Sequence, residues 1–195
     1  TEAEATTEAE TEAEAEAEET GVAFVFDPAK DYGLTIDITG EANGTIVIDL
    51  FEGAAPLHTA QIAALAAAGS HDNVVFHRVI DGFMAQTGDV QHGIMGGDMR
   101  RAGTGGSDLG NIPAEFSDKP FERGIVGMAR SQNSDSANSQ FFIMFEPGYF
   151  LNGQYTVVGE VTAGMEIVDQ IKLGTGPNGA VVGEPDMMST VRVTE

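Results

Sequence analysis

The sequence predicts a mainly β fold, a closed antiparallel barrel with two helices covering its ends. Three observations predict it. Nine short runs read as strands, several of them alternating apolar and polar residues; turn chemistry separates neighbouring runs; and only two stretches, far apart, have helical spacing with start and stop signals.

Taken in order, strands are expected at 22–26, 34–38, 45–51, 74–79, 83–86, 125–128, 141–145, 156–161 and 190–193. The clearest alternation is Thr45-Ile46-Val47-Ile48-Asp49-Leu50. Asn43-Gly44 stands before it and has the chemistry of a tight hairpin turn, in which both central residues take positive φ. With Thr45 the same residues form a glycosylation sequon, for which the plain turn is the simpler reading. A helix is expected from 56 to about 68, opened by Pro56 and closed by Gly69, with Leu57, Ala60, Ile62, Ala64 and Leu65 as its apolar side. A second, from 165 to about 172, gathers Ile167, Val168 and Ile171 and stops before Gly174.

A chain of 195 residues, 42% of them apolar, holds one well-buried core. Its opening 20 residues repeat Thr, Glu and Ala without an aromatic or branched aliphatic side chain, and cannot bury enough surface to offset their ordering entropy. They read as an acidic, disordered or partly helical tail, with residues 21–195 as the single domain. The formal charge is −22, of which nine glutamates fall in the first 19 residues. Only three Lys and six Arg are present, too few for phosphate binding, so nucleic acid is excluded as a partner, and an anionic membrane surface repels the chain. No apolar stretch reaches the roughly 18 residues that cross a bilayer, so no membrane insertion is expected. Without cysteine there is neither a disulfide framework nor a thiol nucleophile. A first residue that is not Met suggests a processed or trimmed chain, and with the tail it points to the periplasm or exterior, the cytoplasm being the alternative.

Several catalytic signatures are absent: no G-x-S-x-G elbow, no H-E-x-x-H and no phosphate-binding P-loop. Gly103-Thr104-Gly105-Gly106 has neither the preceding strand nor the following helix of a nucleotide site and reads as a loop. The histidines at 58, 71, 77 and 92 lack metal-ligand spacing, and His77, in an apolar run, reads as a hydrogen-bonded core residue. No metal or cofactor is expected. What remains is an arginine in an apolar strand, Val74-Val75-Phe76-His77-Arg78-Val79-Ile80, followed by Asp81-Gly82-Phe83-Met84-Ala85-Gln86-Thr87-Gly88-Asp89. Taken alone, Arg78 reads as a surface ion-pair partner.

That stretch resembles the cyclophilins, whose motif F-H-R-x-[IV]-x-G-F-M-x-Q-x-G-D is matched over residues 76–89. Gly127-Met128-Ala129-Arg130-Ser131 with Ser136-Ala137-Asn138-Ser139-Gln140-Phe141-Phe142-Ile143 is similar to the form common in bacterial members, and Phe150-Leu151-Asn152-Gly153-Gln154-Tyr155-Thr156-Val157-Val158-Gly159 fits a third block. The resemblance spans about residues 32–195. It implies a closed eight-stranded barrel capped by two helices and a monomeric peptidyl-prolyl cis-trans isomerase. The implied substrates are proline-containing peptides and unfolded or folding proteins. It places the catalytic arginine at Arg78 and its supporting glutamine at Gln86. The proline socket falls on Phe83, Met84, Phe142 and Leu151, and the peptide-pairing segment on Ala129, Arg130 and Ser131. Gln140 matches a peptide-contacting amide, and Gly103 lies at the rim.

Two positions depart from the eukaryotic pattern. Phe150 stands where many members have Trp, which implies weak binding of the drug cyclosporin, and Tyr155 replaces the usual His. Two segments are longer than in compact members: one between Val90 and Gly103, which reads as a substrate-selecting loop or a tolerated insertion, and one over 174–188, to which no function is assigned. The residue types suit the reaction. Rotation about X-Pro is opposed by a resonance barrier of roughly 18–20 kcal/mol, and nothing covalent is made or broken. A fixed donor aimed at the nitrogen of the twisted amide, beside an apolar socket for the ring, therefore suffices. The rival readings are a proline-peptide-binding chaperone or scaffold acting through its acidic surface and the 91–102 loop, and an acidic body that reflects adaptation to salt alone.

Overall fold

The computed structural model describes residues 24–195; the acidic tail expected at 1–20 lies outside the described residues. The first structured stretch is not the expected strand. Residues 24–26 are irregular, and the rings of Phe24 and Phe26 pack on Tyr32 with centroids 5.7 and 5.0 Å away. Strands β1 (Gly33–Thr39) and β2 (Gly44–Leu50) then pair antiparallel, with Leu34 opposite Ile48 and Ile36 opposite Ile46. Their connection is residues 40–43, not a two-residue turn. Gly40 and Gly44 take positive φ (146° and 152°) and Asn43 does not, because the loop reaches across so that Ala42 N donates to Asp186 Oδ1 at 3.2 Å.

Helix α1 (Pro56–Ala67) follows and ends at Gly69, whose φ of 69° suits a residue without a Cβ. It buries His58, Thr59, Ile62, Ala63, Leu65 and Ala66, whereas Leu57 is exposed. The buried side is thus rotated from the expected one, since a helix so rich in alanine carries little pattern to define a face. The later elements are β3 (Val74–Val75), β4 (Arg78–Ile80), β5 (Met84–Thr87), β6 (Ile125–Met128), β7 (Phe141–Met144), β8 (Val157–Ala163), α2 (Met165–Val168) and β9 (Met187–Thr194). Helix α2 stops short of the expected 172, where Lys172 N turns away to donate to Asp186 Oδ2 at 2.7 Å. Among the described residues no helix is long and apolar enough to cross a membrane.

The strands form one antiparallel sheet in the order β3-β9-β1-β2-β8-β6-β7-β5-β4. This corrects the expected closed eight-stranded barrel: nine strands form an open sheet whose edges, β3 and β4, do not pair with each other. Those edges are the two halves of the expected strand 74–79, broken at Phe76 and His77. There Phe76 N donates to Asp186 O (2.9 Å) and His77 O accepts from Val181 N (3.0 Å), so both residues leave the ladder. Because only two residues separate the edges in sequence, the sheet has to curl. Alternation along the strands then sorts side chains to its two faces. Ala85, Val126, Phe141, Ile143 and Val158 join the main core, while Met84, Ile125, Phe142, Met144 and Val157 form a second cluster on the opposite face.

Candidate active site

The second cluster floors a cavity of about 280 Å³ at the β4-β5-β7-β6 end of the sheet. Arg78 and Gln86 face each other across the β4–β5 hairpin, eight residues apart in sequence and directly opposite in register, and Gln86 is in turn opposite Phe142 on β7. Met84 and Phe142 are almost wholly buried beneath the cavity, with Phe83, Phe150, Leu151 and Tyr155 as its walls. Phe142 stacks on Phe121 (5.8 Å, 20°) and meets Tyr155 edge-on (5.8 Å, 85°), while Phe83 and Phe150 form a tilted pair at 5.5 Å. The segment bearing Phe150 and Leu151 is tied down where Asn152 Oδ1 accepts from Phe121 N (2.8 Å) and Phe121 O from Gly148 N (2.8 Å).

A polar groove of about 470 Å³ adjoins the cavity and shares Gln86, Ala129 and Arg130 with it. Gly103, Ser131 and Gln140 line this groove and not the apolar cavity, so the sequence-derived residues come together as two connected compartments. An amide relay runs between them: Gln86 Nε2 donates to Gln140 Oε1 (3.0 Å), and Gln140 Nε2 to Gly105 O (2.8 Å). The groove wall is held by Asp89, buried, whose carboxylate accepts from the amides of Gln91, His92, Gly103 and Gly105 at 2.7–3.1 Å. Burial alone raises the pKa of Asp89, but the four amides outweigh it and hold the carboxyl below its ordinary value. Arg130 sits at the junction. Its guanidinium lies 4.3 Å over the Tyr155 ring and forks onto Gln154 O.

Arg78 is held at three points. Nη1 donates to Gln86 Oε1 (3.2 Å), Nε to Asn178 O (2.9 Å) and Nη2 to Asn178 Oδ1 (3.1 Å). A guanidinium has five N–H groups, so two remain without a hydrogen-bond partner among the described residues. Partial burial lowers the guanidinium's pKa from its ordinary value, yet an arginine stays charged at any physiological pH.

The family profile described as "Cyclophilin type peptidyl-prolyl cis-trans isomerase/CLD" matches residues 35–193. The chain belongs to this family. A probable peptidyl-prolyl cis-trans isomerase of Brucella suis is 58% identical over 146 residues, covering 74% of each chain. Peptidyl-prolyl cis-trans isomerase B of Bacillus subtilis is 37% identical over 155 residues, 78% of this chain and 93% of that one. A solved cyclophilin-type isomerase from Cryptosporidium parvum superposes with a TM-score of 0.72 at 25% identity over 85% of this chain and 99% of its own; it has also been solved in the presence of the dipeptide Ala-Pro. The cyclophilin described here is therefore a peptidyl-prolyl cis-trans isomerase.

Two features of this cyclophilin escape sequence reading. His77 is half-buried rather than part of the core, and its buried Nδ1 has at most a poorly aligned contact with the Val75 backbone. Burial pulls its pKa down from 6.5 to about 4, so the ring is neutral beside Arg78. The other is Asn178, which makes two of the three bonds to Arg78 from the segment given no function. A non-glycine residue preceding Gly179 carries no signal of this in sequence, because the contact spans 100 positions.

Proposed function

We propose that this cyclophilin turns the bond preceding proline in extended segments of unfolded or folding polypeptides. The proline ring occupies the cavity of Phe83, Met84, Phe142 and Leu151, and Arg78 is the catalytic donor. The observation that carries this reading is an arginine fixed by neutral amides on the wall of an apolar cavity. A socket that holds the ring still lets the preceding carbonyl rotate. As the amide twists, its nitrogen regains a lone pair, and the free N–H groups of Arg78 stabilise that state more than the planar one. The apolar walls exclude water and strengthen the bond. Gln86 holds the fork, and the backbone of residues 129–131 lies where an extended chain would run from cavity to groove. The Ala-Pro dipeptide present with the Cryptosporidium parvum relative supports proline peptides as the substrate class.

Exchange spectroscopy on an X-Pro peptide tests the assignment. Arg78→Ala is expected to lower kcat/KM by about a hundredfold or more with the fold intact; a folded variant as fast as wild type would remove Arg78 from the chemistry. Cyclosporin is expected to bind weakly. Phe150 is 72% exposed and lacks the indole N–H that Trp would offer, so Phe150→Trp should tighten inhibition.

A further inference from the structure

Every contact that fixes Arg78 is made by an uncharged acceptor. No carboxylate among the described residues lies within salt-bridge distance of it, although the chain carries 31 acidic residues against nine basic ones. Five of the other basic side chains do pair with acids: Lys30 with Glu195, Arg100 with Asp98, Arg123 with Asp169, Lys172 with Glu41 and Arg192 with Asp72. Two of the three acceptors on Arg78 come from one residue, Asn178, through its carbonyl and its side-chain amide.

The segment carrying Asn178 is built against the arginine's own strand. Val79 O accepts from Gly174 N (2.8 Å) and His77 O from Val181 N (3.0 Å), so the residues on either side of Arg78 are both bonded to it, and Ala180 bridges Arg78 itself. Gly179 follows Asn178 because a Cβ there would stand 2.4 Å from Ile80 Cγ1. Asn178 itself takes φ 55°, a left-handed conformation that asparagine tolerates and most residues do not. In that conformation its carbonyl and its Oδ1 both accept from the guanidinium.

We propose that Asn178 is a positioning residue for the isomerisation, a neutral clamp that aims Arg78 at the cavity while leaving its positive charge unpaired for the substrate. This rests on Arg78 being the catalytic donor. A carboxylate in the same place would grip the fork at least as firmly and would cancel much of the field that the twisted amide feels. Hold and neutrality are therefore separable by substitution. Asn178→Gly keeps the left-handed turn and the carbonyl but deletes the Oδ1 contact. Asn178→Asp keeps the shape and adds a charge.

The test measures on-enzyme exchange rate and peptide affinity separately by NMR line shape, together with the Arg78 Nη–H signals and thermal unfolding, for both variants and Arg78→Ala. For Asn178→Gly the expectation is a turnover about tenfold slower with unchanged peptide affinity and broadened Nη–H signals, since Nη2 is the group that loses its acceptor. For Asn178→Asp it is an equally slow turnover with the Nη–H signals as sharp as in wild type. If both variants turn over at the wild-type rate while Arg78→Ala is slow, the clamp is wrong and the catalytic assignment stands. If Arg78→Ala is also unaffected, that assignment fails and takes the clamp with it. Full activity in Asn178→Asp alone would overturn the requirement for neutrality.

Discussion

Gly127 on β6 has no side chain because a Cβ there would stand 2.5 Å from Phe142 Cζ and 2.6 Å from Phe121 Cε1, two stacked rings of which Phe142 lines the cavity. Gly127→Ala must displace these rings, and with Phe142 the wall of the cavity proposed to take proline. We expect a loss of roughly 1–3 kcal/mol in stability and, because the displaced ring closes the socket, a fall of about tenfold or more in kcat/KM. Urea unfolding and the exchange assay check the two parts. His71 belongs to the same scale. It is wholly buried, its Nε2–H donates to Ser139 O (3.3 Å), and burial lowers its pKa from 6.5 to about 4. Because the folded value lies below the unfolded one, the neutral ring's contribution is complete above pH 6.5 and is lost as the pH falls towards 4. The loss from this residue is about 3 kcal/mol. His77, lowered in the same direction, adds to it. Most carboxylates titrate below this window, so chemical denaturation between about pH 6.5 and 5 isolates the histidines, and His71→Gln should flatten the slope.

At the level of elements, α1 begins without a cap of its own: Ala55 supplies no side-chain acceptor and Pro56 no N–H. Glu115, far along the chain, takes the place of the cap. Its carboxylate accepts from Leu57 N and His58 N, each at 3.1 Å, and contacts His58 Nδ1 at 2.6 Å. Glu115→Ala leaves these groups unsatisfied and is expected to cost about 1–3 kcal/mol, read as a shift of the urea midpoint at constant slope, with Glu115→Gln in between. This cap marks the boundary of what the sequence shows. Arg78 and Gln86 were legible as a pair through the resemblance to the cyclophilins, and the β4–β5 register, which sets them directly opposite each other, supplies the physical reason. Phe142 was legible as a pocket residue through the same resemblance, and the structure gives the reason, since the strand sends Phe141 to the main core and Phe142 to the opposite face. Glu115 under α1, Asp89 gathering Gly103 and Gly105, and Asn178 on Arg78 obey no local period; each is fixed by how distant segments meet. The break at Phe76-His77 was hidden for the same reason, since its cause is pairing with residues 181 and 186.

For the whole molecule, a net charge of −22 makes self-repulsion a standing cost of the folded state. Raising salt from ~0.01 to ~1 M shortens the Debye length from roughly 30 to 3 Å, so the melting temperature should rise with added sodium chloride, and calorimetry across that series measures it. A flat or falling curve would show that exposed ion pairs such as Arg123–Asp169 outweigh the repulsion. The open sheet has a further consequence. Its two edges are β3 and β4, and neither is left bare: Val74 bridges Ile94 and Arg78 bridges Ala180. An uncovered strand edge is a template on which any extended chain can build, and under the proposed function unfolded polypeptides would bring such chains to it constantly. The segment that steadies Arg78 therefore also denies its strand to passing chains, so that they are met by side chains and released, rather than recruited into the sheet as a tenth strand and the seed of an aggregate.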